Sequence, residues 1–69
     1  MHRETMFHCT YASGRARRSA VIAAWDAEAA ESIFRQSLAE EPEGEPGGII
    51  EVEARGRLRR RSEFRTDQG

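Results

Sequence analysis

The sequence holds a single cysteine, no lysine, two prolines and five aromatic residues, and its longest apolar run is the six residues from Ala20 to Trp25. A lone cysteine excludes an internal disulfide and fits a reducing compartment. A run this short falls far below the roughly 20 residues a membrane-crossing helix requires. Neither insertion nor export is therefore expected, and the expected setting is cytoplasmic. The aromatics are Phe7, Tyr11, Trp25, Phe34 and Phe64, so the core must rest on about a dozen apolar side chains. A chain of 69 residues leaves no room for a second core, since domains this small bury only about 60% of their unfolded surface. With so thin a core, self-association is a common route to further burial. A homodimer stays open on that ground, although no residue names its interface.

All eleven basic residues are arginine. Together with abundant Ala, Gly and Glu, this is what a high-GC coding sequence produces, and a bacterial or bacteriophage gene is expected. Selection for bidentate guanidinium contacts is the alternative explanation. The formal net charge is −1, but the charges are segregated. Glu40, Glu41, Glu43, Glu45, Glu51 and Glu53 fall in a stretch free of basic residues. Arg55, Arg57, Arg59, Arg60, Arg61 and Arg65 then follow, with Glu63 the only acid among them. Such asymmetry marks either an interaction segment or a solvated end.

Met6 to Ala12 alternates, with Phe7, Cys9 and Tyr11 on one side, as in a half-buried strand. Ser13-Gly14-Arg15 reads as the turn of a hairpin. Two periods fit the next stretch. One is a single long helix from about Ala16 to Glu40, with Ala20, Ala24, Ala27, Ala30, Phe34 and Leu38 on one face. The other, preferred here, is a second strand from Arg17 to Trp25 with Val21, Ala23 and Trp25 facing the core, followed by a helix from Ala27 to Ala39. Asp26 suits the N-cap, and Glu28 suits the first turn, where the helix dipole favours an anion. Ala30, Ile33, Phe34 and Leu38 would form the buried face of that helix, with Glu31 and Arg35 as an i,i+4 pair on another face.

Glu41 to Gly48, rich in Pro and Gly, reads as an exposed acidic loop. Ile50, Val52 and Ala54 alternate with Glu51 and Glu53 as a strand with carboxylates outward. Gly56 ends it. The expected fold class is α+β: a small antiparallel ββαβ sheet packed on one amphipathic helix. The single domain is expected to span residues 1–56. Residues 57–69 would be an arginine-rich tail, with a short fourth strand around Leu58 to Phe64 as a partial pairing.

Candidate chemistry is sparse. His2, His8 and Cys9 are the only soft or borderline metal ligands. Adjacent His8 and Cys9 would point to opposite faces of a strand, so neither a metal site nor a cofactor is expected. Cys9 reads as a buried strand residue. Ser13 or Ser19 with His8 lacks the orienting third group that nucleophilic catalysis needs, and the exposed loop carboxylates lack the burial that raises a pKa. No catalytic activity is expected. Gly44, Gly47 and Gly48 stand among glutamates, which contradicts a phosphate-cradling loop.

What could bind are the arginines Arg15, Arg17, Arg18, Arg57, Arg59, Arg60 and Arg61, and the acidic loop residues Glu40, Glu41, Glu43 and Glu45. The leading expectation is a non-enzymatic protein of the inhibitor or adaptor type, acting by protein–protein interaction through one of these patches. The alternative is a nucleic-acid-binding accessory protein whose arginines track phosphates. A pI near 6.1 and the scarcity of aromatics for base stacking weigh against that alternative.

The order of strand, glycine-containing turn, strand, the helix start Trp25-Asp26-Ala27-Glu28-Ala29-Ala30 and the closing strand Gly48-Ile49-Ile50-Glu51-Val52-Glu53 resembles the small ββαβ proteins of bacteriophages and mobile elements. In size and layout it is also similar to some anti-CRISPR proteins. The resemblance to the phage proteins covers about residues 5–55, and the likeness to anti-CRISPR proteins implies inhibition by binding rather than by catalysis, an analogy at the level of fold.

Overall fold

A computed structural model describes residues 3–14, 16–40 and 47–64. Strand β1 (Thr5–Ala12) and strand β2 (Arg17–Ala24) form a hairpin, helix α1 (Ala27–Ala39) follows, and strands β3 (Gly48–Ala54) and β4 (Arg57–Phe64) form a second hairpin. The four strands make one antiparallel sheet in the order β2-β1-β3-β4, and α1 covers one of its faces. This is an α+β fold. The second strand rules out a continuous helix from Ala16.

The alternation read in β1 and β3 sets the core. Phe7, Cys9 and Tyr11 of β1 and Ile50, Val52 and Ala54 of β3 are buried beneath Ala30, Phe34 and Leu38 of α1. Asp26 caps the helix as expected, its Oδ1 accepting from the Ala29 amide at 2.8 Å, and Glu28 occupies the first turn. Glu40 closes the last turn through its N–H to the Gln36 carbonyl.

The inward face of β2 is the opposite of the one expected. Its core-facing residues are Ala20, Ile22 and Ala24, while Val21 and Ala23 lie exposed and Trp25, past the strand end, is 60% exposed. The pairing Phe7↔Ile22 and Cys9↔Ala20 explains this. Directly opposed residues of an antiparallel pair project to one face, so the parity of β1 dictates that of β2. Ile33, expected in the core, is 45% exposed on the flank of α1.

The fourth strand expected as a partial pairing around Leu58 to Phe64 is present from Arg57 and complete. Over eight residues it pairs with β3 as the second edge strand, and Phe64, 4% exposed, belongs to the core. Residues 65–69 lie outside the described residues. The connection between β3 and β4 is the pair Arg55 (φ 56°) and Gly56 (φ 75°), a two-residue turn of type I′, whose twist matches that of the strands it joins. Beyond it, Val52 faces Arg60 while Glu53 faces Leu58, so Arg59 is an extra residue that bulges β4. At the other end of β3, a Cβ on Gly48 would fall 2.1 Å from Tyr11 Cε1. The Tyr11 ring lies over this glycine and meets the Phe64 ring edge-on at 5.6 Å.

Candidate functional site

With α1 on one face, the other face of the sheet is left uncovered among the described residues, and the strand register orders its side chains in rows. One row runs Arg17, Ala12, Ile49, Glu63, the next Ser19, Thr10, Glu51, Arg61, and a third Val21, His8, Glu53, Leu58. Two carboxylates thus sit on the central strand β3, with an arginine toward each edge. Arg61 Nε approaches Glu51 Oε2 at 3.3 Å. Around them the exposed apolar side chains are Met6, Val21 and Leu58. The surface is shallow: its main depression, about 490 Å³, is lined by His8, Thr10, Arg17, Ser19, Glu51 and Glu53 among others.

The sheet does not gather the expected arginines into one patch. Arg17 and Arg18 lie on β2 and the Arg57–Arg61 run lies on β4, at opposite edges about 14 Å apart by strand spacing. Within the run, Arg57 and Arg60 fall opposite the helix-side residues Ala54 and Val52, and Leu58 and Arg61 opposite the open-face residues Glu53 and Glu51. Arg60 turns to the helix side and Arg61 to the open side, each engaging a carboxylate. Arg59 borders a second depression, of about 440 Å³, together with Arg55, Asp26 and Ala27 at the start of α1. Arg15, Glu41, Glu43 and Glu45 lie outside the described residues. Glu40 is exposed at the end of α1.

The sequence reading missed a polar cluster under the helix. Glu31, read there as a partner for Arg35 away from the core, is 5% exposed. Its Oε1 accepts from Arg60 Nε at 2.6 Å, and its Oε2 accepts from Arg35 Nε at 2.9 Å and from Ser62 Oγ at 2.5 Å. Arg35 also donates to Ser62 Oγ and to the Glu63 carbonyl. Burial by itself would raise the Glu31 carboxyl, but hydrogen bonds from Ser62, Arg60 and Arg35 outweigh it and hold the group below the ordinary carboxylate value. The cluster ties α1 to β4. A signal was present in the spacing, since Ala27, Glu31, Phe34 and Leu38 fall at i, i+4, i+7 and i+11, one helical stripe.

Cys9 and His8 part as strand geometry demands. The Cys9 thiol is fully buried, and its pKa is raised mainly by burial, with the Glu31 charge adding to it. It is therefore a poor thiolate source. His8 is exposed on the open face opposite Glu53. Among the described residues no three metal-capable side chains converge, and no helix is long and apolar enough to cross a membrane. Comparison with protein-family models, with curated proteins and with solved structures gave no match. The likeness to phage ββαβ proteins therefore rests on the sequence pattern alone.

Proposed function

We propose that this chain is a small non-enzymatic protein, of the inhibitor or adaptor type, that binds another protein through the open face of its sheet. The observation carrying this reading is the composition of that face. Exposed Met6, Val21 and Leu58 surround Glu51 and Glu53, with Arg17 and Arg61 toward the two edges. Apolar anchors supply contact area, and charges of both signs set orientation and reject wrong partners. A shallow surface of this kind suits a protein better than a small molecule, which favours an enclosing cavity. The cytoplasm of a bacterial or phage-infected cell belongs to the same proposal, motivated by the lysine-free composition and the lone buried thiol.

The nucleic-acid alternative draws less support, because its arginines are divided between two edges and two of them already engage carboxylates. The test is affinity capture from a bacterial lysate with three immobilised proteins: the wild type, an open-face variant (Glu51→Arg with Glu53→Arg) and a control on the exposed back of α1 (Ser32→Arg). A protein retained by the wild type and the control but lost by the open-face variant is the expected outcome. Capture that ignores the open-face change would sink the proposal. Tight binding of labelled DNA or RNA at about 50 mM salt that collapses at about 200 mM would replace it with the phosphate-tracking alternative.

A further inference from the structure

The two edges of the sheet are built differently. β4 carries Arg57, Arg59, Arg60, Arg61 and Glu63 and is bulged at Arg59, devices that discourage a further strand from pairing. β2 lacks the bulge, and its charges are confined to Arg17 and Arg18 at its start. Its eight residues pair with β1 without a register shift, and from Ser19 to Ala24 it contains no charge and no proline. Apolar side chains collect beside it: Val21 is 62% exposed, Trp25 follows the strand end, and Ile33 is 45% exposed. Ile33 lies about 200° around the helix from both Glu31 and Arg35. Because those two reach β4, Ile33 stands on the flank toward β2.

We propose that β2 pairs with β2 of a second copy about a two-fold axis perpendicular to the sheet at Val21. The product is a continuous eight-stranded antiparallel sheet with both helices on one face. Opposed residues in an antiparallel ladder share a face, so the helix-side residues of one copy must meet helix-side residues of the other. That condition places the axis on a residue rather than between two; Ala20 and Val21 satisfy it with equal overlap within β2, and Val21, 62% exposed, sets the larger uncovered apolar side chain against its own copy. Val21 then faces Val21, Ala20 faces Ile22, Ser19 faces Ala23 and Arg18 faces Ala24.

Extended one residue past the strand end, the same register brings Arg17 toward Trp25 of the second copy, a guanidinium near an indole, the favoured cation–π combination. The two Arg17-Arg18 pairs fall at opposite ends of the ladder and do not repel. The segment is therefore complementary to itself in the antiparallel sense, which makes a second copy the occupant rather than an unrelated strand. This edge is separate from the centre of the open face, so pairing would double that face rather than consume it.

Sedimentation equilibrium of the full chain tests the proposal. The wild type at about 0.5 mM is expected at twice 7.8 kDa. Val21→Lys, which places a charge at the axis on an exposed position, should return it to a single-chain mass. Arg17→Glu removes two such contacts from each dimer and should weaken it about five- to thirtyfold, as loss of exposed cation–π contacts implies. Leu58→Lys, at the opposite edge of the same open face, should leave the dimer intact. Should Val21→Lys not fold, amide exchange of the wild type gives the answer, with all β2 amides expected to exchange as slowly as those of β1. A wild type of single-chain mass, a dimer persisting in folded Val21→Lys or lost in Leu58→Lys, or β2 amides exchanging as fast as those of the β4 edge would each overturn it.

Discussion

Gly48 shows how narrowly one residue can be specified. It opens β3 where the Tyr11 ring crosses the strand, and a methyl group there would overlap Tyr11 Cε1 and Cζ at 2.1 and 2.6 Å. The Tyr11 ring, 2% exposed, also meets Phe64 edge-on and cannot swing away without opening the core. Gly48→Ala should therefore destabilise the protein by about 1–3 kcal/mol, the usual magnitude of overpacking, read as a lower urea midpoint with little change in slope. An unchanged midpoint would mean that the ring relaxes freely. Glu31 acts by charge instead. Its carboxyl titrates below the ordinary value of 4.5 when folded, so its contribution is complete above that pH. As the pH falls, the unfolded chain takes up the proton first, and the contribution is gone once the pH drops through the folded value. Glu31→Gln should cost about 1–2 kcal/mol at neutral pH, since its arginine partners are partly solvated. It should also flatten the decline of melting temperature between about pH 5 and pH 2. An acid profile identical to the wild type would show that other carboxylates govern acid unfolding.

At the scale of elements, the turn between β3 and β4 holds a residue ill suited to its backbone. Arg55 sits at φ 56°, where a side chain other than that of Asn or Asp is disfavoured. Arg55→Asn, giving the Asn-Gly pair that type I′ turns prefer, should raise stability by about 0.5–1 kcal/mol in thermal melts. A lower melting temperature would show that the Arg55 side chain, beside the depression at the start of α1, contributes more than the strain removes. Much of the fold was legible element by element. In β1 and β3, polar and apolar residues alternate cleanly, and Asp26 preceding an alanine-rich segment announces the helix. The inward face of β2 was not legible, because Ala20, Val21, Ile22 and Ala23 are all apolar and carry no parity of their own. Only pairing with β1 supplies it. β4 was read as a tail with only partial strand pairing around Leu58 to Phe64, because arginines fall on both of its faces. The register past the bulge at Arg59 puts Arg60 on the helix side, where it meets Glu31, twenty-nine residues away, and no local pattern encodes that pairing. The open face was legible in part, since Glu51 and Glu53 outward followed from alternation, whereas their placement between two arginine edges required the strand order.

At the scale of the whole molecule, the boundary expected at Gly56 would divide one cooperative unit. β4 contributes Phe64 to the core, Ser62 and Arg60 to the cluster around Glu31, and an edge to β3, whose Ile50 and Val52 are fully buried. A chain ending at Gly56 would uncover one side of Tyr11, strand the Glu31 carboxylate without two of its donors and open the ladder of β3. A domain of this size keeps only a small surplus of burial over conformational entropy, and losing an edge strand together with a core aromatic exceeds it. Truncation after Gly56 should therefore abolish the cooperative thermal transition and the dispersion of amide resonances, rather than leave a folded ββαβ core. A dispersed spectrum from the shortened chain would contradict this and make β4 an accessory to an independently stable sheet. Because the arginines of β4 belong to the folding unit, their part in binding is properly tested by substitution at exposed Arg57 and Arg61 within the full chain. Deletion would confound the loss of a contact with the loss of the fold.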